Sequence, residues 1–232
     1  RIGQIACLNN INDVNNVKVG TKLIVNLAAP KAIPPKAVVA ENKPAPKISK
    51  AEPKQNPKIS HSSAQNLHWT QMSDEQMREI YGNYSRDITT PYSGNAEDLN
   101  RYLKGKGVLS GQGQAFIDAQ NKYGISAAVL AGIAISESGG TSSLARKRFN
   151  VTSISSSRGW RRFNNVSECI DYTASMLANR YVKNSGLSGV SLKTLYQINA
   201  KYCPVSDTRN NSSNNRFWAQ NVENKVREIE KA

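Results

Sequence analysis

The sequence has 232 residues, enough for one domain of ordinary size plus an appendage, and carries 31 Lys and Arg against 17 Asp and Glu for a net charge of +14. That charge draws polyanions in general, but no helix-turn-helix, zinc finger or aromatic-basic strand pattern accompanies it, which argues against nucleic acid. No apolar run reaches the roughly 18 residues of a membrane span, and three scattered cysteines (Cys7, Cys169, Cys203) with two histidines (His61, His68) outline neither a disulfide framework nor a metal site.

In chain order, Ile5 to Ile11 reads as a helix end, and Val17 to Val25 as a strand entered through the Gly20 turn. The string Val17-Lys18-Val19-Gly20-Thr21-Lys22-Leu23-Ile24-Val25 resembles the closing half of a LysM module. The resemblance implies glycan targeting for residues 1–27, although the first strand and helix of such a module are missing. The opening residues lack the charged start and apolar stretch of a secretory signal, and no Met begins the chain, so a processed or trimmed precursor is expected.

Residues 28–68 read as a linker. Seven of the nine prolines fall there (Pro30, Pro34, Pro35, Pro44, Pro46, Pro53, Pro57), interleaved with Lys and Ala, and such a composition favours extended, solvated chain. Its lysines serve a solubilising spacer, adhesion to an acidic wall, or both.

From residue 69 to 232 the signals are helical. Ser73-Asp74-Glu75-Gln76 has the form of a reciprocal N-cap. Asn95 to Leu103 forms a second helix, closed by Gly105 and Gly107, and Gly113 to Tyr123 a third, stopped by Gly124. Ser126 then opens Ala127 to Ser136, which is apolar nearly all round and therefore belongs inside a domain. Ser167 to Tyr181, Ser191 to Ile198 and Asn214 to Glu230 complete the helices. Arg148 to Phe163, rich in Ser, Thr, Arg and aromatics, suits a short β or irregular insertion. Cys169 and Cys203 lie in this domain and read equally as a disulfide or as two separate thiols.

Glu137 follows the apolar run and precedes Ser138-Gly139-Gly140-Thr141-Ser142. A carboxyl at the C-terminal end of a buried helix is desolvated and faces the negative end of the helix dipole, and both effects favour its protonated form. A glycosidase requires such an acid to protonate a leaving oxygen near neutral pH. The bland alternative is a helix-terminal glutamate in water.

The surrounding residues resolve that choice. Tyr123-Gly124-Ile125, Leu130-Ala131-Gly132-Ile133-Ala134 and Glu137-Ser138-Gly139-Gly140-Thr141-Ser142-Ser143-Leu144-Ala145 together resemble the signature of the bacterial glucosaminidases of glycoside hydrolase family 73. The likeness runs on through Phe149-Asn150-Val151-Thr152, Phe163, Ser167 to Tyr172, Tyr202 and Trp218 to Val222, over Asn95 to Ile229. It implies a lysozyme-like α+β fold, mostly α, and an endo-β-N-acetylglucosaminidase acting on the glycan strands of peptidoglycan, with no cofactor and no metal. By the same resemblance Glu137 is the catalytic acid and Tyr202 lines the catalytic centre. Asn150 and Thr152 line the cleft, and Trp160 and Phe163 offer faces to sugars. Trp218 reads as core or as a further stacking face. The implied setting is the cell wall outside the cell, or a phage virion or lysis apparatus.

One departure bears on the chemistry. From Ser138 to Ser167 there is no Asp or Glu, so the first candidates for a second carboxylate are Glu168 and Asp171, with Glu168 placed to favour a helix N-terminus. Three routes remain: a water activated by Glu168 or Asp171, attack by the substrate's own N-acetyl group, or attack by the muramic acid 6-hydroxyl as in lytic transglycosylases. A muramidase, or a wall-binding module with a dead lysozyme-like fold, are the rival functions. Arg146, Lys147, Arg148, Arg158, Arg161 and Arg162 form a basic group near the expected cleft, suited to anionic stems or wall polymers, or to plain solvation.

Overall fold

The computed structural model describes residues 68–187, 189–205 and 212–232. The LysM-like fragment expected over residues 1–27 and nearly all of the linker lie outside the described residues.

Local caps open the first helices. Helix α1 (Asp74–Tyr81) starts with the reciprocal box anticipated at Ser73: the Gln76 N–H donates to Ser73 Oγ at 3.2 Å, and the Ser73 N–H donates to Gln76 Oε1 at 2.7 Å. Helix α2 (Ala96–Leu103) uses Asn95 and Asp98 in the same way. Helix α3 (Gly113–Tyr123) closes on Gly124 at φ 67°, a left-handed cap that suits glycine.

Helix α4 (Ala127–Ser138) is buried continuously from Ala127 to Ala134 and runs through the middle of the helical layer. Helix α5 (Ser143–Arg148) follows at once, capped by Ser142. Strands β1 (Ser155–Ser156) and β2 (Gly159–Trp160) pair antiparallel, Ser155 opposite Trp160, as the only sheet among the described residues. Helix α6 (Val166–Leu177) runs on into a wider π turn (Ala178–Val182). Helices α7 (Leu195–Tyr202) and α8 (Trp218–Ile229) complete the domain, α8 entered through a 3-10 turn, Ser212–Phe217. The result is the mostly helical α+β architecture expected.

Helices α4 and α8 share the most extensive helix contact and run antiparallel. Gly132 makes this possible: a Cβ there would sit 3.0 Å from Val226 Cγ2 and 3.3 Å from the Val222 carbonyl. The close approach carries the first residue of α8 to the last turn of α4. Around this pair, Leu99, Leu103, Phe116, Ile133, Ile170, Leu177 and Tyr196 fill a single core.

Candidate active site

Glu137 projects from the last turn of α4, where the chain must stop and turn sharply. Gly139 caps the helix at φ 58°, its N–H bonded to the Ile135 carbonyl at 2.8 Å. Gly140 follows at φ 72°, backed so tightly on the 3-10 turn Gly107–Leu109 that a Cβ would fall 2.0 Å from the Lys106 carbonyl oxygen. The Val108 N–H donates to the Gly140 carbonyl at 3.0 Å. Backbone on backbone thus holds the turn beyond Glu137 and leaves little play in the carboxyl.

The carboxyl itself is partly buried. Trp218 Nε1 donates to Glu137 Oε1 at 2.8 Å, and the Ser153 side chain lies near enough to favour the carboxylate. Burial raises the Glu137 pKa, and the Trp218 and Ser153 side chains pull part of the way back. Tyr202 completes the cluster. Its ring lies 5.1 Å from that of Trp218 and 6.5 Å from that of Tyr181, and its hydroxyl donates to the Thr152 carbonyl at 2.6 Å. Burial, then the nearby Glu137 charge, push the phenol far upward, so Tyr202 stays neutral and remains a donor.

The insertion between α5 and α6 forms the other wall. Phe149 and Ser153 both sit at positive φ, 52° and 55°, bracketing Asn150 to Thr152. Non-glycine residues hold this conformation only where the surroundings impose it. Asn150 imposes it: its Nδ2 donates to the carbonyls of Ile154 (2.7 Å) and Arg161 (2.9 Å), and its Oδ1 accepts from the Ile154 N–H at 2.9 Å. Thr152 bonds Thr173 Oγ1 at 2.7 Å and lies 3.4 Å from Cys169 Sγ.

Asn150, Thr152 and Phe163 are buried, at 0%, 1% and 3% exposure, because their side chains tie the insertion to itself and to α6. They build the wall from behind and offer a sugar almost no surface. Trp160, on β2, is 48% exposed and keeps a face available for stacking. Glu168 accepts from the Asn164 N–H at 2.7 Å at the start of α6, while Asp171 binds Lys122 Nζ at 2.7 Å and Tyr123 Oη at 2.8 Å. Neither hydrogen-bonds Glu137 or contributes to the field that shifts it.

Trp218 and Ser153 are the functional neighbours that sequence reading did not assign to Glu137. The indole stands 81 positions away, and only the α4–α8 contact brings it in. No disulfide joins Cys169 to Cys203. Among the described residues no cluster of His, Cys, Asp or Glu could hold a metal ion. The six basic residues Arg146, Lys147, Arg148, Arg158, Arg161 and Arg162 are all exposed, and among the described residues none is ion-paired with a carboxylate. Arg148 Nη1 donates to the Trp160 carbonyl at 3.0 Å, so α5 and the hairpin form one edge.

The sequence profile of the glucosaminidase family, described as mannosyl-glycoprotein endo-β-N-acetylglucosaminidase, matches residues 113–231, just over half of the chain. The chain belongs to the glucosaminidase family. The matched residues run from α3 to the end of α8 and so include Glu137, Ser153, Tyr202 and Trp218. The bifunctional autolysin of Staphylococcus epidermidis is 37% identical over 100 residues, and that of Staphylococcus aureus 35% over 107. Those stretches cover 42% and 45% of this chain but only 8% and 9% of the relatives, so the chain spans under a tenth of the curated proteins it matches. In fold, the chain resembles crystal structures of Staphylococcus aureus Autolysin E. A catalytic mutant in complex with the disaccharide NAG-NAM superposes with TM-score 0.53 at 22% identity, over 69% of this chain and 79% of that one. A complex with the muropeptide NAM-L-Ala-D-iGlu gives TM-score 0.52 at 22% identity, over 69% and 78%. The lysozyme-like architecture expected from the sequence is thereby borne out.

Proposed function

We propose that the protein hydrolyses the glycan strands of peptidoglycan as an endo-β-N-acetylglucosaminidase, cutting after N-acetylglucosamine with Glu137 as general acid. The observation that carries this reading is the Glu137 carboxyl, its pKa raised by burial at the rigid end of α4 while Trp218 donates a hydrogen bond to it. Family membership supplies the reaction class, and the autolysin names and bound NAG-NAM and muropeptide ligands of the similar proteins supply the polymer.

Glu137 gives its proton to the glycosidic oxygen as the C1–O bond breaks. With Glu168 and Asp171 bonded elsewhere, the electron pair that C1 needs comes from the carbonyl oxygen of the substrate's own N-acetyl group. The resulting oxazolinium ion is opened by a water whose proton returns to Glu137, and the configuration at C1 is retained. Tyr202, neutral and anchored, stands beside the reacting centre. The catalytic domain in this reading is residues 69–232, with 28–68 as spacer and 1–27 as a glycan-targeting fragment, working at the cell wall. Trp160 stacks on a sugar, and the basic edge of α5 and the hairpin holds anionic stems or wall polymers.

Digestion of purified peptidoglycan by the wild type and by Glu137→Gln, with mass analysis of borohydride-reduced fragments, tests the reading. Reduced N-acetylglucosamine ends, absent with the variant, are expected. Reduced muramic ends would make the enzyme a muramidase, and anhydro-muramic ends a transglycosylase. Binding without release by either protein would leave a wall-binding module.

A further inference from the structure

Trp218 presents its indole N–H, a group that can only donate, to Oε1 of the buried acid. In a neutral carboxyl the oxygen that accepts such a bond is the carbonyl oxygen. We propose that Trp218 is a positioning residue for the general acid, confining the transferable proton to Oε2 of Glu137 and stabilising the carboxylate left behind when that proton is given away. This rests on the assignment of Glu137 as proton donor made above.

The chemistry follows from how the bond changes during the reaction. Before transfer, the N–H meets a neutral carboxyl. As the proton leaves Oε2, negative charge spreads over both oxygens and the same bond becomes charge-assisted, hence shorter and stronger. An interaction that strengthens on the way to the transition state lowers the barrier, whereas one of constant strength would not. Ser153 pulls the Glu137 pKa in the same direction from the insertion side.

The indole is well placed for this because several independent contacts immobilise it. Its ring is buried at 6% exposure and lies against Tyr202, itself tethered to the Thr152 carbonyl. Buried Asn199 on α7 pins the start of α8: its Oδ1 accepts from the Ala219 N–H at 3.0 Å, while its Nδ2 donates to the carbonyls of Cys203 and Asn215, each at 3.0 Å. Gly132 sets the spacing of α8 from α4. The N–H therefore waits in place, and little reorganisation is needed when charge appears.

The ionisable groups around Glu137 leave a clean readout. Tyr202 faces it from α7, and Tyr181, Cys169 and Cys203 act on Tyr202 electrostatically. Burial pushes Tyr202, Tyr181 and Cys169 upward. Ser153 and Trp218 do not titrate. The alkaline limb of the rate profile then belongs to Glu137.

The test replaces Trp218 with its benzothienyl analogue, which keeps the bicyclic shape but has sulfur in place of N–H. The Glu137 carboxyl is titrated by carbon NMR, assigned by difference from Glu137→Gln, and kcat and KM are measured against pH on soluble glycan fragments. Losing a bond that favours the carboxylate raises the Glu137 pKa, so the alkaline limb of kcat moves to higher pH. The maximal kcat falls about tenfold to a hundredfold, within what general acid catalysis supplies, and KM stays within about twofold. An unmoved titration with unmoved kcat overturns the proposal, and so does a rise in KM alone, which would make the indole a sugar-stacking face. If the wild type itself hydrolyses nothing, the glucosaminidase reading falls, while the NMR titration still decides whether the indole controls the carboxyl.

Discussion

A carboxyl whose pKa is raised by burial is also a weak point in the fold, and the sign of its effect on stability is fixed by linkage. The folded-state pKa of Glu137 lies above its unfolded value, so the folded protein binds more protons between the two. Its contribution is intact below the unfolded pKa and declines as pH rises through the folded pKa. Glu137→Gln, which cannot ionise, should therefore melt with the wild type in acid and above it from neutral pH upward, as thermal unfolding across pH would check. A wild type that stays level with the variant at pH 8 would contradict the buried acid. Asn150 works differently, since its three hydrogen bonds are buried and shape the loop that presents Ser153. Asn150→Ala leaves the Ile154 N–H and two carbonyls without that partner and should destabilise the domain by about 2–3 kcal/mol in denaturant unfolding. Because Asn150 touches no solvent, its loss should lower kcat through the displaced loop and leave KM nearly unchanged. A rise in KM alone would instead restore it to the substrate-binding surface.

Two glycines act at the level of whole elements. Gly140 combines φ 72° with backbone contact against Lys106, so Gly140→Ala meets both a strained conformation and a carbonyl that cannot move aside. The loss should reach about 3 kcal/mol or more, measured by denaturant unfolding, and an unaffected midpoint would mean that the turn is not held as described. The turn was legible in the sequence because everything that makes it is local: an apolar helix, a carboxyl, two glycines. Other elements were less so, for identifiable reasons. Helix α5 has six residues, too few for a periodic pattern to declare itself. Helix α7 begins at Leu195, four residues beyond the expected start at Ser191. At the true start Gln197 Oε1 accepts from the Thr194 N–H at 3.1 Å, while the chain just before is extended: the Ile88 N–H donates to the Lys193 carbonyl, and the Leu192 N–H to the Tyr181 carbonyl. The Thr-x-x-Gln spacing was present to be read, but the pull of the Asp87–Ile88 segment on the preceding residues was not. Trp218 and Ser153 escaped assignment because their meaning arises from tertiary contact, which no local pattern encodes.

For the molecule as a whole, the net charge of +14 is unevenly used. Acidic residues on α8 and at its C-terminal end are engaged internally, Glu223 by Arg86 and Arg227, and Glu230 by Arg86. On the edge formed by α5 and the hairpin, by contrast, six cations surround an exposed tryptophan without an ion-paired acid among the described residues. Unpaired charges at a protein surface interact over about 10 Å at 0.1 M salt and about 3 Å at 1 M. Binding of an anionic polymer through this edge should therefore weaken steeply with salt, whereas proton transfer by buried Glu137 should not. Pull-down of the Glu137→Gln protein by whole walls between low and high salt would measure the first, and kcat on short peptide-free glycan fragments over the same range the second. Replacing Arg146, Lys147, Arg158 and Arg162 by Gln should flatten the salt dependence of wall binding while leaving turnover of the short fragments near the wild-type rate. Retained salt dependence in that variant would assign the electrostatic attraction to other parts of the chain, and the edge would then be an ordinary solvated surface.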